Sequence, residues 1–195
     1  AGGEDGVVVA GGTDLFVQRP EQLMERELHF LSRRRELDYG REDGAVLRVG
    51  GAVTIEDFRR HEAVGRHFPE LPGDLLLHSS TILRNKATLA GNVVNASPIG
   101  DVTIILLALD ARLVIGRGDG ATREVALDRF FLGYKKVDLA CGEIVREIVI
   151  PLLPSGARYH FEKVSNRKIL DIAAVNSALR MTKNAEGEVI DLRIS

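Results

Sequence analysis

Small polar residues with many hydrogen-bonding groups crowd one stretch of this chain, residues 84–101. Its sequence, RNKATLAGNVVNASPIGD, interleaves amides and hydroxyls with glycine and apolar residues. Such residues present backbone and side-chain donors at close approach, which is what a bound polyanion needs. The alternative is an irregular loop that leads into a buried helix over the apolar residues 102–109, with Asp101 as its N-cap. The residues of this stretch alone leave both interpretations open.

A second candidate anion site lies near the start of the chain. Residues 7–10, VVVA, predict a buried parallel strand, and GGTD follows at residues 11–14. A strand that ends at a glycine pair, with Thr or Asp placed to cap the next segment, makes a turn whose N–H groups suit a phosphate. The alternative is a tight strand-to-helix turn without a ligand. The Rossmann and Walker phosphate-binding patterns are both absent from the sequence.

Hydrophobic periodicity predicts the elements that must position these two stretches. The first part of the chain mixes strands and helices, whereas the later part is richer in hairpins, so we predict an α+β protein of two lobes that divide near residues 50–55. The other predicted elements are strands at 28–31 and 46–49, a helix opening at 54–57, a hairpin of 111–115 with 123–127, and strands at 144–151 and 159–164.

Composition limits the possible partners. The 195 residues carry a net charge of −2, so no overall positive field attracts nucleic acid or an anionic membrane, and any anion site must be local. No apolar stretch approaches membrane-spanning length. The single cysteine, Cys141, cannot form an internal disulfide, and the sequence offers no zinc or iron–sulfur site of its own. A reducing, cytoplasmic setting is the simplest interpretation.

Several short blocks of the sequence matter by their order and spacing. They are VVAGGTDL at 8–15, ILRN at 82–85, ATLAGN at 87–92, NASPIGD at 95–101 and FLGYKK at 131–136, followed by EI at 143–144, IP at 150–151, KVS at 163–165, Arg167 and DIA at 171–173. Together they resemble the FAD-binding module of molybdenum hydroxylases over nearly the whole chain. Within that family the chain looks most like the small, FAD-carrying subunit of bacterial xanthine dehydrogenase.

The resemblance implies a fold and a domain organisation. The fold would be a two-lobed α+β FAD-binding fold of the PCMH type, with FAD extended between the lobes. Residues 1–53 would form a lobe around a small parallel sheet, truncated at its start. Residues 54–195 would form the second lobe, around an antiparallel sheet with flanking helices. Because the first and last residues look like interrupted elements, we expect both flanks, including the family's C-terminal flavoprotein domain, to be missing from this sequence.

The same resemblance assigns residues to the two walls of a flavin site. The first wall would wrap the pyrophosphate with Val8, Val9, Ala10, Gly11, Gly12, Thr13, Asp14 and Leu15. The facing wall would be formed by Thr88, Gly91, Asn92 and Asn95, with Val94 packing near the flavin ring.

Four residues outside the two walls complete the implied site. Asp101 would hold a hydroxyl of the ribityl or ribose portion, and Val145 would meet the isoalloxazine edge. His78 stands where relatives often have an aromatic residue beside the adenine. Lys163, the catalytic candidate, would lie at the polar end of the ring, where a cation stabilises a reduced, anionic flavin.

Cofactors and partners also follow from the resemblance. FAD would be bound without a covalent bond, because neither His nor Cys occurs at residues 11–14 or 84–101. In this family electrons pass from a molybdenum cofactor through iron–sulfur clusters to FAD, and then to NAD+ or oxygen. The clusters and the molybdopterin would belong to partner chains or missing flanks. The leading function is thus the electron-transfer module of a xanthine-dehydrogenase-type enzyme.

Two alternatives to that function stay open. One is the flavoprotein subunit of another molybdenum hydroxylase, acting on carbon monoxide, an aldehyde, nicotinate or an aromatic thioester. The other is an interaction domain that kept the fold but binds no FAD. The second alternative is disfavoured because both glycine-rich stretches are intact.

Overall fold

The computed structural model describes residues 6–167 and 170–195. Its strands are β1 Gly6–Val9, β2 Glu27–Phe30, β3 Gly40–Asp43, β4 Val46–Gly50, β5 Arg112–Arg117, β6 Thr122–Ala126, β7 Phe131–Gly133, β8 Lys136–Val137, β9 Glu143–Pro151, β10 Ala157–Val164, β11 Val175–Lys183 and β12 Val189–Ile194. Its helices are α1 Leu15–Gln18, α2 Pro20–Met24, α3 Ile55–Arg60, α4 Glu62–His67, α5 Leu71–Asp74, α6 Thr81–Arg84, α7 Leu89–Asn95, α8 Asp101–Ala108 and α9 Leu127–Phe130. Within the described ranges, no helix has the length and apolar character needed to cross a membrane.

The first part of the chain builds a small parallel sheet. Strands β1 and β2 pair in parallel, with Val8 opposite His29. This confirms the predicted strands and their parallel arrangement. The expected burial is wrong for most of β1, because only Val9 is fully buried while Val8 remains 45% exposed. Val8 is exposed because it faces a cleft between this sheet and α7.

An antiparallel sheet of five strands forms the centre of the molecule, in the order β3-β4-β9-β5-β6. Strand β9 lies in the middle and pairs with β4 on one side and β5 on the other. Its residue Ile148 is fully buried between Val49 and Leu113, its partners in register. The β5–β6 hairpin and the strand ending at Pro151 are confirmed.

A third sheet of three antiparallel strands, β10-β11-β12, packs against helix α8. Buried side chains of β10, among them Tyr159 and Phe161, alternate with exposed ones, so one face of this sheet covers the core. Helix α8 is apolar on almost every side, and most of its residues are buried. It is therefore the central helix of the core rather than an amphipathic surface helix.

The stretch 84–101 forms more regular structure than its sequence indicated. Helix α7 occupies its middle, where the irregular-loop interpretation expected no helix. The Thr88 side chain caps the helix by accepting a hydrogen bond from the Gly91 N–H at 3.0 Å, and Leu89, Ala90 and Val93 are buried. A helix of seven residues is too short to show a clear 3.6-residue period among so many small polar residues.

Asp101 does not cap α8, contrary to the sequence-based interpretation. Gly100 occupies the N-cap position, and no side chain caps the helix there. Asp101 is the first helical residue, and its carboxylate accepts hydrogen bonds from Lys163 and Asn176 instead. The buried partners on β10 and β11 outcompete the local cap, and these contacts tie α8 to the three-stranded sheet.

Helices, antiparallel sheets and a separate small parallel sheet confirm the predicted α+β class. The boundary between residues 53 and 54 stays a prediction. Strand β4, before that boundary, pairs along its whole length with β9, after it, so the central sheet contains strands from both predicted segments.

Candidate functional site

The first wall of the candidate site is the turn between β1 and α1. Within the described residues, the backbone N–H groups of Gly11, Gly12, Thr13 and Asp14 donate no hydrogen bond to the protein. Gly12 has a φ of +71°, a left-handed conformation that reverses the chain direction here. Successive N–H groups that have no acceptor in the protein form a concave anion-binding surface in such a turn.

The second wall is helix α7 with the residues before it. Thr88 is 1% exposed, and its segment is held in place by backbone hydrogen bonds from Ile55 N–H to the Ala87 carbonyl at 2.9 Å and from Leu89 N–H to the Val53 carbonyl at 3.2 Å. These bonds join the start of α7 to the segment that follows β4. The wall is therefore fixed to the central sheet.

The two walls contact each other directly. A Cβ atom added at Gly11 would lie 2.0 Å from the Lys86 carbonyl oxygen, so only glycine permits this approach. A Cβ added at Gly91 would lie 3.2 Å from the Ala10 side chain. The Asn95 amide also donates a short hydrogen bond to the Asp14 carboxylate. The glycines that the sequence marked as ligand contacts thus also bring the walls together.

Between the walls lies a cleft of about 360 Å³. Most of the predicted site residues line it. They are Val8, Ala10, Gly11, Gly12, Thr13, Asp14, Leu15, Thr88, Gly91, Asn92, Val94, Asn95 and Val145. The structure therefore brings together segments from the start, middle and later part of the chain, as the resemblance implied for one site.

Sequence reasoning missed several residues that also line the cleft. They are Gln18, Arg19, Leu31, Ala87, Ala90, Lys135, Leu139, Glu143 and Ile144. Lys135, Glu143 and Ile144 lie in blocks that carry the family resemblance, and Ile144 directly precedes the predicted Val145. That signal was enough to mark the segment but not the individual residues.

Charge in the cleft favours an anionic ligand. The two carboxylates that line it are engaged, Asp14 by Asn95 and Glu143 by Arg123. In the described part of the chain, the side chains of Arg19 and Lys135 have no hydrogen-bond or ion-pair partner. Because the Asn95 amide is neutral, Asp14 keeps its negative charge, but the cations of Arg19 and Lys135 outnumber it.

Four predicted site residues do not line the cleft. Val9 is 1% exposed and lies behind the first wall. His78, Asp101 and Lys163 form a separate cluster around the start of α8. Their predicted contacts with FAD stay predictions.

This second cluster is a buried ion pair with additional donors. The Lys163 Nζ donates to Asp101 Oδ2 at 2.6 Å and to the Leu77 carbonyl at 3.1 Å. Asn176 donates to the other carboxylate oxygen at 2.8 Å, and His78 Nδ1 lies 3.6 Å from Oδ2. The side chains of Asp101 and Lys163 are only 7% and 5% exposed.

The pKa of Asp101 reflects this environment. Burial acts to raise it, but hydrogen bonds from His78, Lys163 and Asn176 outweigh burial, so the pKa lies below its ordinary value. The carboxylate is therefore charged at neutral pH and is matched by the Lys163 ammonium. This cluster joins helix α8 to strands β10 and β11.

Arg84, one of two basic residues near the second wall, is not available to a ligand. It is 4% exposed, and its Nε donates to Glu56 Oε2 at 2.8 Å. It also donates to backbone carbonyls at residues 76, 78 and 79 and so holds the chain before α6. Hydrogen bonds from Arg59, opposed by burial and assisted by Arg84, lower the pKa of Glu56 to about 2. Arg84 is thus a structural residue.

One buried polar atom in the cleft lacks a partner. Asn92 Oδ1 is buried and accepts no hydrogen bond within the described residues, although Asn92 lines the cleft. A buried, unpaired amide oxygen costs about 1–3 kcal/mol, so a ligand hydroxyl or N–H would be favoured there. Undonated N–H groups, two available cations and this acceptor all fit an FAD, which carries both phosphates and hydroxyls.

The fold and the cleft together define a class of protein, the two-lobed α+β FAD-binding domain. The chain belongs to the family "FAD binding domain in molybdopterin dehydrogenase", whose sequence pattern matches residues 1–153. The predicted family resemblance is confirmed.

Known relatives agree with this family. Xanthine dehydrogenase of Emericella nidulans is 30% identical over 158 residues, 76% of this chain and 12% of that protein. The carbon monoxide dehydrogenase medium chain of Hydrogenophaga pseudoflava is 28% identical over 188 residues, 93% of this chain and 63% of that protein. The reconstituted CO dehydrogenase from Oligotropha carboxidovorans superposes with a TM-score of 0.89 at 25% identity, over 98% of this chain and 66% of that one. The chain thus spans less than two thirds of the length of each of these relatives.

Proposed function

We propose that the chain binds FAD without a covalent bond in the cleft between residues 11–14 and α7. This proposal rests mainly on the four successive N–H groups at residues 11–14, which have no acceptor in the described protein. They line the same cleft as the cationic side chains of Arg19 and Lys135. Neutral donors of this kind bind a pyrophosphate without a basic cluster. Among the described residues that line the cleft there is neither His nor Cys, the side chains to which a flavin could be attached.

Each wall has a separate part in binding. The N–H groups of residues 11–14 hold the pyrophosphate, and Arg19 and Lys135 offset its negative charge. Asn92 accepts a hydrogen bond from a ligand hydroxyl or N–H. Val94 and Val145 supply apolar surface for the ring system and exclude water from it.

We propose further that the chain is the electron-transfer module of a xanthine-dehydrogenase-type enzyme. Bound FAD supplies a redox centre that exchanges electrons both with iron–sulfur clusters and with NAD+ or oxygen. The clusters and the molybdopterin belong to partner chains or domains in this proposal, in the cytoplasm. A net charge of −2 and a local anion site support a dinucleotide rather than a nucleic acid as the ligand.

A second candidate is the flavin module of a carbon monoxide dehydrogenase. It is favoured by the medium chain of Hydrogenophaga pseudoflava, which aligns over 93% of this chain at 28% identity. Aldehyde, nicotinate and aromatic-thioester enzymes belong to the same group of alternatives. Because this module does not enclose the molybdenum centre, the adjoining coding region is the discriminating observation. A molybdopterin subunit with a purine pocket would decide for xanthine.

His78, Asp101 and Lys163 lie in one cluster, so they can meet only one end of an extended FAD. At the adenine end, His78 is proposed to lie beside the base and Asp101 to accept from a ribose hydroxyl. At the ring end, Asp101 is proposed to accept from a ribityl hydroxyl. Lys163 is proposed to stabilise negative charge on the reduced ring. Since its ammonium is already paired with Asp101, any such effect arises from the pair, and variants of both residues test it.

Titration of the purified chain with FAD and FMN tests the proposed function. We expect FAD to bind and to be released unmodified on denaturation, and FMN to bind at least tenfold more weakly because it lacks the pyrophosphate. The loaded chain should be reduced by NADH and should not oxidise xanthine, for which it has no molybdenum centre. Failure of a folded chain to take up FAD would leave the interaction-domain alternative. Xanthine turnover by the chain alone would also overturn the proposal.

A further inference from the structure

The segment between β8 and β9, residues 138–142, forms part of the cleft wall although it is neither helix nor strand. Leu139 from this segment lines the cleft, as do Glu143 and Ile144 at the start of β9. Cys141, at its tip, is exposed. Backbone hydrogen bonds help to hold the segment, among them those from the Asp138 N–H to the Phe130 carbonyl at 2.8 Å and from the Glu143 N–H to the Ala140 carbonyl at 3.1 Å. Without the full ladder of a strand, its position depends also on side-chain contacts.

Arg123 on β6 supplies those contacts at both ends of the segment. At the far end, its Nε and Nη2 donate to the two oxygens of Glu143 at 2.9 and 2.8 Å, a bidentate pair. At the near end, its Nη1 donates to the Asp138 carboxylate and its Nη2 to the Asp138 carbonyl, each at 2.8 Å. One planar guanidinium thus fixes the distance between the two ends.

The Glu143 carboxylate also binds the backbone of the segment itself. It accepts a hydrogen bond from the Ala140 N–H at 2.8 Å, in addition to those from Arg123. Hydrogen bonds from Arg123 and Ala140 lower the pKa of Glu143 to about 2. The carboxylate therefore stays charged, and the arrangement persists, throughout the neutral pH range.

We propose that Arg123 is a positioning residue for flavin binding: it does not line the cleft, yet it holds residues 138–143 in the place where they form the cleft wall. This inference rests on the proposed function, because it takes the ligand of the cleft to be FAD. The competing explanation is a surface ion pair that contributes a little stability and nothing to the site.

Arg48 offers a matched control. It lies on β4 of the same sheet and also bridges two carboxylates, donating to Asp43 at 2.8 Å and to Glu147 at 2.6 Å. Neither Arg48 nor its two partners lines the cleft. A generic loss of an arginine bridge should therefore affect the Arg123 and Arg48 variants alike, whereas a positioning effect should affect only the first.

The experiment measures FAD affinity and the mobility of the segment in the full chain. FAD titration would compare the wild type with Arg123→Gln, Arg123→Lys and Arg48→Gln. A fluorophore on Cys141, the single cysteine, would report the mobility of the segment by anisotropy without flavin. We expect Arg123→Gln to raise the Kd at least tenfold, about 1.4 kcal/mol, and to lower the anisotropy. Lysine cannot make the bidentate pair and should give an intermediate Kd.

If Arg123→Gln is unstable, Asp138→Asn serves as a second variant. It weakens only the contact between Arg123 and the start of the segment, and it should also raise the Kd for FAD and lower the anisotropy. Equal FAD affinity or equal anisotropy in wild type and Arg123→Gln would overturn the inference, as would an equal loss of affinity in Arg48→Gln. A wild-type chain that binds no FAD would overturn the proposed function. The anisotropy would then still decide whether Arg123 fixes the segment.

Discussion

The Asn95 side chain on α7 donates a hydrogen bond to the carboxylate of Asp14, which lies 81 residues earlier in the turn after β1. This bond has two effects. It holds the two walls of the cleft in a fixed relation, and it satisfies one oxygen of a carboxylate that lines the cleft. The polar side chains of the two glycine-rich blocks therefore contact each other as well as line the cleft.

Asn95→Ala should weaken FAD binding by about tenfold. The substitution removes the hydrogen bond that links the walls, so the spacing that the ligand requires is no longer held. Titration of the chain with FAD gives the Kd. Asn85→Ala is the control, because Asn85 is exposed and its side chain bonds to the nearby Thr81 carbonyl at 2.8 Å. Equal affinities for the wild type and Asn95→Ala would show that the link has no role in binding.

Gly91→Ala should also reduce FAD affinity. The added Cβ would lie 2.8 Å from Thr88 Oγ1 and 3.2 Å from the Ala10 Cβ, so the cap of α7 or the spacing of the walls must change. Gly65→Ala is the matched control, since it lies in α4 with no atom within 4 Å of the added Cβ. That variant should gain about 0.5–1 kcal/mol of stability from helix propensity and bind FAD normally. Normal binding by Gly91→Ala would show that FAD binding does not depend on the close approach at Gly91.

The sequence predicted those parts of the fold that follow from local pattern. The strands β1, β2, β4, β9 and β10 were found because apolar and β-branched runs end at Gly, Pro or polar residues. Helix α7 was missed, since its cap and three buried residues are too few to give a period. The exposed Val8 was missed for a different reason: whether a strand is covered depends on where a distant segment lies.

The site was predicted where one block carries several contacts and missed where a contact depends on tertiary packing. The residues of the turn after β1 and of the stretch 84–101 marked both as candidate anion sites, and the family resemblance assigned them to one site. Arg19 and Lys135 line the cleft only because α1 and the β7–β8 hairpin fold beside it. Pairing of Asp101 with Lys163 is equally non-local, since their side chains come from residues 62 positions apart.

Lys163→Met should have two separable effects. Removal of the ammonium leaves Asp101 buried and unpaired, which should cost about 3–5 kcal/mol of unfolding free energy. If Lys163 also stabilises negative charge on the ring, as proposed, reduction by NADH at saturating FAD should slow by about ten- to a thousand-fold. Denaturant unfolding measures the first effect and stopped-flow absorbance the second.

The double variant Lys163→Met/Asp101→Asn separates stability from chemistry. With both charges removed, part of the lost stability should return, because no unpaired charge stays buried. Flavin reduction should stay slow if the cation itself matters. Wild-type reduction rates in both variants would assign the pair to stability alone, joining α8 to the three-stranded sheet.

Asp74, at the end of α5, should make stability depend on pH in an unusual direction. Its Oδ2 and the Tyr159 hydroxyl are both buried and accept no hydrogen bond within the described residues. Burial, assisted by the charge of Glu70 and opposed by Tyr159 and His160, raises the pKa of Asp74 from 3.8 to about 6. The folded state therefore holds this proton at a pH where the unfolded chain has lost it.

The contribution of Asp74 to the free energy of unfolding should consequently fall as the pH rises from about 4 to about 6. Above that range it should stay at the lower value. Asp74→Asn removes the charge and should be more stable than the wild type at pH 7–8, by at most about 3 kcal/mol for a pKa difference of this size. Near pH 4 the wild-type carboxyl is already protonated when folded, so the gain should shrink towards zero. Denaturant unfolding of both proteins between pH 4 and 8 measures this difference in the free energy of unfolding. A variant less stable than the wild type at pH 8, or a difference that is the same at both ends of the range, would contradict this assignment.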